Sequence, residues 1–196
     1  DRRGGAVISR DAALALFDAQ GPEPSLRLHC LESEAVLAAL ARRLGADEAL
    51  WARCGLLHDV DFPATAQEIA RHGLPAADLL AGHLPPEAVR AIVSHNYDNN
   101  GAPPPDSPLG WALRCGETVT GLVAANALVR PGGFDGMTPK SLKKKMKEKS
   151  FAANVDRDTI LECEKLGLTL DEFFQLAIDA MTPLAPLLGL GAPQEE

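Results

Sequence analysis

The sequence predicts an all-α fold, a helical bundle with a short helical C-terminal extension, and three observations predict it. Apolar residues recur at three- and four-residue steps through most of the chain. Period-two runs rich in Val, Ile, Thr and Tyr are almost absent. Ser, Thr, Asp and Pro stand where helices open, and Gly where they close.

The first helix opens at Ser9 and runs through Leu14 and Phe17 to Gly21-Pro22. The second begins near Ser25, ends at Gly45, and carries Leu26, His29, Cys30, Ser33, Val36, Leu37, Leu40 and Leu44 on one stripe. A third starts near Asp47 with Leu50, Trp51, Cys54 and Leu57 inward, so its last turn delivers His58 and Asp59 to the interior. Thr65 and Glu68 have capping-box spacing and predict a short helix that ends near Gly73, with His72 in its last turn. Pro75 and Pro85-Pro86 suit the first turns of two more helices, the later of which runs through Val89, Ile92 and Val93 to His95.

Asn99-Asn100-Gly101 and Pro103-Pro104-Pro105 predict a loop. Ser107-Pro108 then opens a long helix with Leu109, Leu113, Glu117, Thr120, Ala124 and Leu128 at helical spacing, Glu117 on the buried stripe. After Pro131-Gly132-Gly133, helices are expected near 141–149, 156–166 and 169–181, with a Thr169/Glu172 capping box and a frayed tail after Pro183. Residues 1–130 are expected to form the core with its N-terminal helix, and 131–196 an extension packed on it.

With 196 residues, 46% of them hydrophobic, the chain can bury most of its apolar surface in one core. A net charge of -8 argues against general nucleic-acid affinity, which needs a basic footprint. The charge is uneven. Residues 140–149 hold six lysines and one acid, while the rest of the chain carries 13 basic residues against 26 acidic ones. Cys30, Cys54, Cys115 and Cys163 are widely spaced without a CxxC pair, which fits free thiols in a reducing compartment. No apolar run approaches the roughly 18–20 residues that span a bilayer, and no leader pattern is seen, so a cytoplasmic location is expected. Oligomeric state is not legible.

All five histidines fall between His29 and His95, and His58-Asp59 places two metal-binding side chains side by side at the end of an apolar segment. One histidine on an apolar helix face is most often a hydrogen-bonded core residue, and one buried acid is most often salt-bridged. The set points elsewhere. His29, His58, Asp59, His72, His95 and Glu117 lie on inward faces or at helix ends, and imidazole with carboxylate but no thiolate suits a catalytic transition-metal centre. Neighbouring helix residues project about 100° apart, so Asp59 is expected to bridge two metals with histidine on each side.

His29, His58-Asp59, Ser94-His95-Asn96 and the acid before Thr118-Val119-Thr120-Gly121-Leu122 together resemble the HD-domain superfamily of metal-dependent phosphohydrolases. His72-Gly73 and His95 resemble the additional ligands of its binuclear members. Lys140-Ser141-Leu142-Lys143-Lys144-Lys145-Met146-Lys147, with Val155-Asp156-Arg157, resembles the extension of a subgroup of uncharacterised predicted HD hydrolases. The resemblance implies one or two divalent transition-metal ions (Fe, Mn, Zn, Co or Ni), a metal-activated water, and hydrolysis of a phosphomonoester or phosphodiester in a small metabolite or nucleotide.

The family has Asp where this chain has Glu117, a carboxylate longer by one methylene, and many relatives carry a Lys where this chain continues Val60-Asp61-Phe62. Asp59 and Asp61 are the expected catalytic acids, with Asp61 either moving protons or supporting a metal ligand from behind. The run from Lys140 to Lys149 reads first as a solvated helix face; its functional alternative is a phosphate clamp of Lys143, Lys144, Lys147 and Arg157, and His83 reads as a surface or capping histidine. Two other readings stay open: a di-iron oxygenase, as in some relatives with six ligands, and a metal-binding module whose catalysis is impaired through Glu117.

Overall fold

The computed structural model describes residues 5–191. Among them there is no strand, only an isolated bridge between Ala81 and Leu84. Helix α1 (Arg10–Asp18) is capped by the Ser9 hydroxyl, which accepts from the Ala12 amide. Helix α2 (Pro24–Leu44) starts at its proline and closes where Gly45 takes a left-handed φ of 68°, a conformation that costs glycine nothing. Helix α3 (Glu48–Leu57) is capped by Asp47 and leaves His58 at its C-terminal boundary.

The expected helix opening at Thr65 is not formed. Pro63 instead sits in the first turn of a one-turn helix, α4 (Phe62–Thr65), and the Thr65 hydroxyl donates back to the Asp61 carbonyl rather than capping forward. A 3₁₀ turn over Ile69–Arg71 follows, with His72 at its end, then α5 (Leu74–Leu80) and α6 (Pro86–Ser94), whose prolines stand in their first turns as expected. The predicted Asn-rich loop contains a further helical turn, α7 (Tyr97–Asn100), because the Asn99 and Asn100 amides both find the Asn96 carbonyl. Helix α8 (Pro108–Val129) is capped by Ser107 and runs through the centre of the bundle. Its inward stripe stops short of Leu128, which is 58% exposed.

After the Pro131 break come α9 (Pro139–Lys147), whose capping box pairs Thr138 with Ser141, and α10 (Arg157–Leu161), which tightens into a 3₁₀ segment over Glu162–Leu166. Helix α11 (Leu170–Met181) carries the predicted Thr169/Glu172 capping box. The tail does not fray where predicted: Thr182–Leu188 is a 3₁₀ helix with Ala185 buried. Residues 192–196 lie outside the described residues.

The core sits where α2, α3, α8 and α11 meet. Phe17, Leu37, Leu40, Leu56, Leu57, Leu113, Leu122, Phe173 and Phe174 are fully enclosed there. Each such side chain contributes about 1.5–3 kcal/mol by leaving water, and Phe173 and Phe174 belong to the residues after Arg130, so the C-terminal helices share the core. All four cysteines are free and buried. No helix among the described residues is long and apolar enough to cross a membrane.

Two contacts place α3 against its neighbours. A Cβ at Gly55 would lie 2.5 Å from the Ser33 carbonyl oxygen, so only glycine lets α3 approach α2 this closely. Ser33 in turn donates its hydroxyl to the His29 carbonyl at 2.8 Å. The first histidine of α2 and the last turn of α3 are thereby drawn together.

Candidate metal centre

Six side chains converge between α2, the end of α3, the Ile69–Arg71 turn, the end of α6 and α8. His29 projects from α2 and Glu117 from α8, whereas His58, His72 and His95 each stand at the C-terminal boundary of a helix or 3₁₀ turn. Helix ends suit this task because the chain direction changes there, which lets Asp59, next to His58, aim differently from its neighbour.

Each histidine has its Nδ1 beside an acceptor. His58 Nδ1 donates to the Gly55 carbonyl at 2.7 Å, His95 Nδ1 to the Ile92 carbonyl, and His72 Nδ1 to Asp61 Oδ1 at 2.9 Å. His29 Nδ1 donates at 3.1 Å to Thr120 Oγ1, which uses its own proton on the Glu117 carbonyl. With Nδ1 carrying a proton in each of the four rings, an imidazole in its neutral, metal-binding form presents its Nε2 lone pair inward.

Those nitrogens form two pairs on opposite oxygens of Asp59. His29 Nε2 and His58 Nε2 stand 3.2 Å apart, and 3.7 and 3.3 Å from Asp59 Oδ2. His72 Nε2 and His95 Nε2 stand 3.1 Å apart, and 2.9 and 3.3 Å from Asp59 Oδ1. Glu117 Oε2 joins the first pair, 3.2 Å from His29 Nε2 and 3.8 Å from His58 Nε2. Atoms bound at ~2.1 Å to one ion stand roughly 3.0–3.4 Å apart; the 3.1–3.3 Å spacings suit a shared ion on each side of Asp59, while His29 to Asp59 at 3.7 Å and His58 to Glu117 at 3.8 Å are wider than that. Two groups, His29 with His58 and Asp59, and Asp59 with His72 and His95, are each compact enough to hold a metal ion. The longer arm of Glu117 still reaches the first pair.

The electrostatics agree with the geometry. Burial opposes charge on Asp59, yet His58, His72 and His95 hold its carboxyl well below the usual carboxylate range. Burial likewise opposes charge on Glu117, and His29 and His58 outweigh it, so this acid also stays ionised. Burial disfavours protonated imidazole at His29 and His72, but Glu117 and Asp59 lift His29 to about 9, and Asp59 and Asp61 lift His72 to about 10. Without a cation, protons take the positions between nitrogen and carboxylate.

Three sequence expectations need correction. Asp61 is enclosed and accepts from His72 Nδ1, the Gly73 amide at 2.7 Å and the Ala76 amide at 3.3 Å. With three donors on its two oxygens it is a positioning carboxylate for His72, the supporting role that the sequence also allowed, rather than a proton shuttle. Arg157 is no phosphate clamp: its guanidinium donates to the carbonyls of Ala152 (2.6 Å), Val155 (2.9 Å), Glu148 and Phe151, holding Ala152 at a left-handed φ of 46°. Lys143 is paired with Asp171 at 2.7 Å. Lys144 and Lys147 are exposed on α9, which meets α8 where Ser141 accepts from Asn126, nine residues beyond Glu117 or ~13 Å along the helix. The structure does not bring these lysines to the six ligands. His83 is exposed, as expected.

Sequence reasoning missed three residues. Thr120 orients His29. Arg114 lies buried on α8, one turn before Glu117, among Asp98, Glu162 and the His95 carbonyl. Glu32, one turn after His29, is buried with its Oε2 unpartnered, and burial pushes its carboxyl up to about 7. A charged residue on an otherwise apolar stripe was the available signal for Arg114 and Glu32.

A comparison with curated proteins finds no match. The HD domain family matches residues 27–147, more than half of the chain, and the match contains all six converging side chains. That family is in general one of metal-dependent hydrolases. By this match, and with buried His and Asp groups that can hold a metal ion, the chain belongs to the HD-domain family.

Proposed function

We propose that this protein is a metal-dependent phosphohydrolase acting on a small phosphorylated metabolite or nucleotide. The observation that carries the reading is the Asp59 carboxylate, with one oxygen turned to each of two histidine pairs. When bound, divalent ions at such a site acidify a water towards neutrality and neutralise phosphoryl oxygens during in-line displacement.

The chain's own residues supply the frame. Nδ1 protons on His29, His58, His72 and His95 lock each ring with Nε2 inward. Asp59 and Glu117 remain ionised and offset cationic charge. The Thr118 hydroxyl donates to Glu117 Oε1 at 3.0 Å and leaves Oε2 turned to the first histidine pair. His58, His72 and His95 are enclosed, while His29 and Glu117 are 26% and 21% exposed, so substrate approaches over that edge.

Protein loaded with Mn(II) and assayed without oxygen against a panel of phosphomonoesters and phosphodiesters should hydrolyse at least one class. Inertness of the loaded protein on every phosphoester would overturn the reading. The six-ligand set also favours a second reading, a di-iron oxygenase. That activity would require iron near two per chain together with dioxygen, and would vanish on replacement of iron by Mn(II) or Zn(II).

The raised histidine pKa values give a pH prediction for the metal-free protein. Both folded values lie above the unfolded value of about 6.5. The stability they contribute is therefore fully present below about pH 6.5 and lost as pH rises through about 9 and 10. Metal competes with the same protons, so affinity should climb with pH over that range. Calorimetry near neutral pH, in buffers of different ionisation enthalpy, should find protons released on loading from His29 and His72. Release of none would show that these two rings are neutral before metal binds.

A further inference from the structure

We infer that Arg114, held by Glu162 of the C-terminal extension, is a positioning residue for the cation site formed by His72, His95 and Asp59. The inference rests on the two-cation reading and deepens it by tying the second site, through Arg114, to Glu162, which lies beyond the HD match that ends at residue 147.

Arg114 is 4% exposed in the middle of α8, where a charged side chain is costly unless fully paired. It is paired on every side. Nε and Nη2 donate in a fork to the two carboxylate oxygens of Glu162, both at 2.8 Å. Nη1 donates to the His95 carbonyl and to Asp98 Oδ2, each at 3.0 Å, and the guanidinium lies 4.5 Å over the Tyr97 ring. One side chain thus grips the whole turn from His95 to Asp98.

That turn sets the direction of the second site. His95 stands at the end of α6, where its carbonyl has no partner inside the helix. Arg114 supplies the donor. The His95 ring is fixed from the other side by Ile92, so the position of Nε2 relative to Asp59 Oδ1 follows the backbone that Arg114 holds. The first site lacks this dependence: His29, His58 and Glu117 are set by Thr120, Gly55 and α8 itself. Glu162 makes the grip directional, since a bidentate carboxylate fixes the plane of the guanidinium and so aims Nη1 at His95. Lysine could not reproduce that fork.

The test uses the full chain, freed of metal and titrated with Mn(II). Calorimetry and elemental analysis count the ions, and electron paramagnetic resonance detects the coupled signal that appears only when neighbouring sites are both filled. Glu162→Gln and Arg114→Lys should bind the first ion as the unmodified chain does and the second about 10–100-fold more weakly, the usual cost of losing an outer partner. The coupled signal should shift to correspondingly higher Mn(II). Glu172→Gln removes another tie between the extension and α2, its 3.4 Å pair with Arg43, and should change neither affinity. An unchanged second affinity in both variants, or equal weakening of both ions, would overturn the inference while leaving the two-cation reading intact. Uptake of only one ion by the unmodified chain would overturn both.

Discussion

Asp59→Ala should lose both cations at once. Among the described residues its carboxylate is the one side chain common to both groups that could hold a metal ion, with Oδ2 3.3 Å from His58 Nε2 and Oδ1 2.9 Å from His72 Nε2. The substitution removes a ligand atom from each site and the negative charge that the paired histidines require. The expected loss of affinity at each site exceeds the roughly 10–100-fold that attends removal of an outer partner, and hydrolysis should fall to background. His95→Ala is the informative companion, because it should release only the ion beside Asp59 Oδ1. Elemental analysis of dialysed protein, with circular dichroism to confirm the helical fold, distinguishes the two. Retention of one tightly bound ion by Asp59→Ala would show that the sites do not share this carboxylate.

The second large effect is expected at Gly55, which touches no ligand atom and meets the site only where its carbonyl accepts from His58 Nδ1. Helix propensity alone favours alanine over glycine in a helix interior by about 0.5–1 kcal/mol. Packing opposes it. The added Cβ would meet the Ser33 carbonyl oxygen at 2.5 Å, and the obstacle is backbone that cannot swing aside. Overpacking of this kind costs about 1–3 kcal/mol, so the net sign should be destabilising. For a domain of this size, each kcal/mol lowers Tm by about 2–4 °C. The functional consequence should be larger, since moving α3 away from α2 separates His58 from His29, now 3.2 Å apart at Nε2. Gly55→Ala should therefore weaken the first ion more than the second. A rise in Tm with unchanged metal content would show that the α2–α3 approach is looser than described.

Most of the helices were legible because their signals are local. Ser9, Asp47, Ser107 and Thr169 cap the helices that they announce, and each acts within three residues of its own position. Thr65 failed for a local reason too, because Pro63 already begins a helical turn and the threonine hydroxyl folds back to Asp61. The six converging side chains were legible as a set, since each interrupts or ends an apolar stripe. Their partners were not. Asp61 reads equally well as a shuttle or a support until its contacts with His72, Gly73 and Ala76 are seen. Arg114 and Glu162 meet across 48 residues, and nothing in the spacing announces the pair. The clamp reading of the basic run from Lys140 failed because charge density reveals nothing about direction: Lys143 faces Asp171, the guanidinium of Arg157 closes a loop, and Lys144 and Lys147 stand on the solvated face that the run equally announces.

Whether one carboxylate joins two cation sites is tested most directly by crystals of the Mn(II)- or Fe(II)-loaded protein, with diffraction recorded across the metal absorption edge. Two anomalous peaks are predicted, one among His29, His58, Glu117 and Asp59 Oδ2, the other among His72, His95 and Asp59 Oδ1. A single peak in fully loaded crystals, or a second peak away from His72 and His95, would contradict the account.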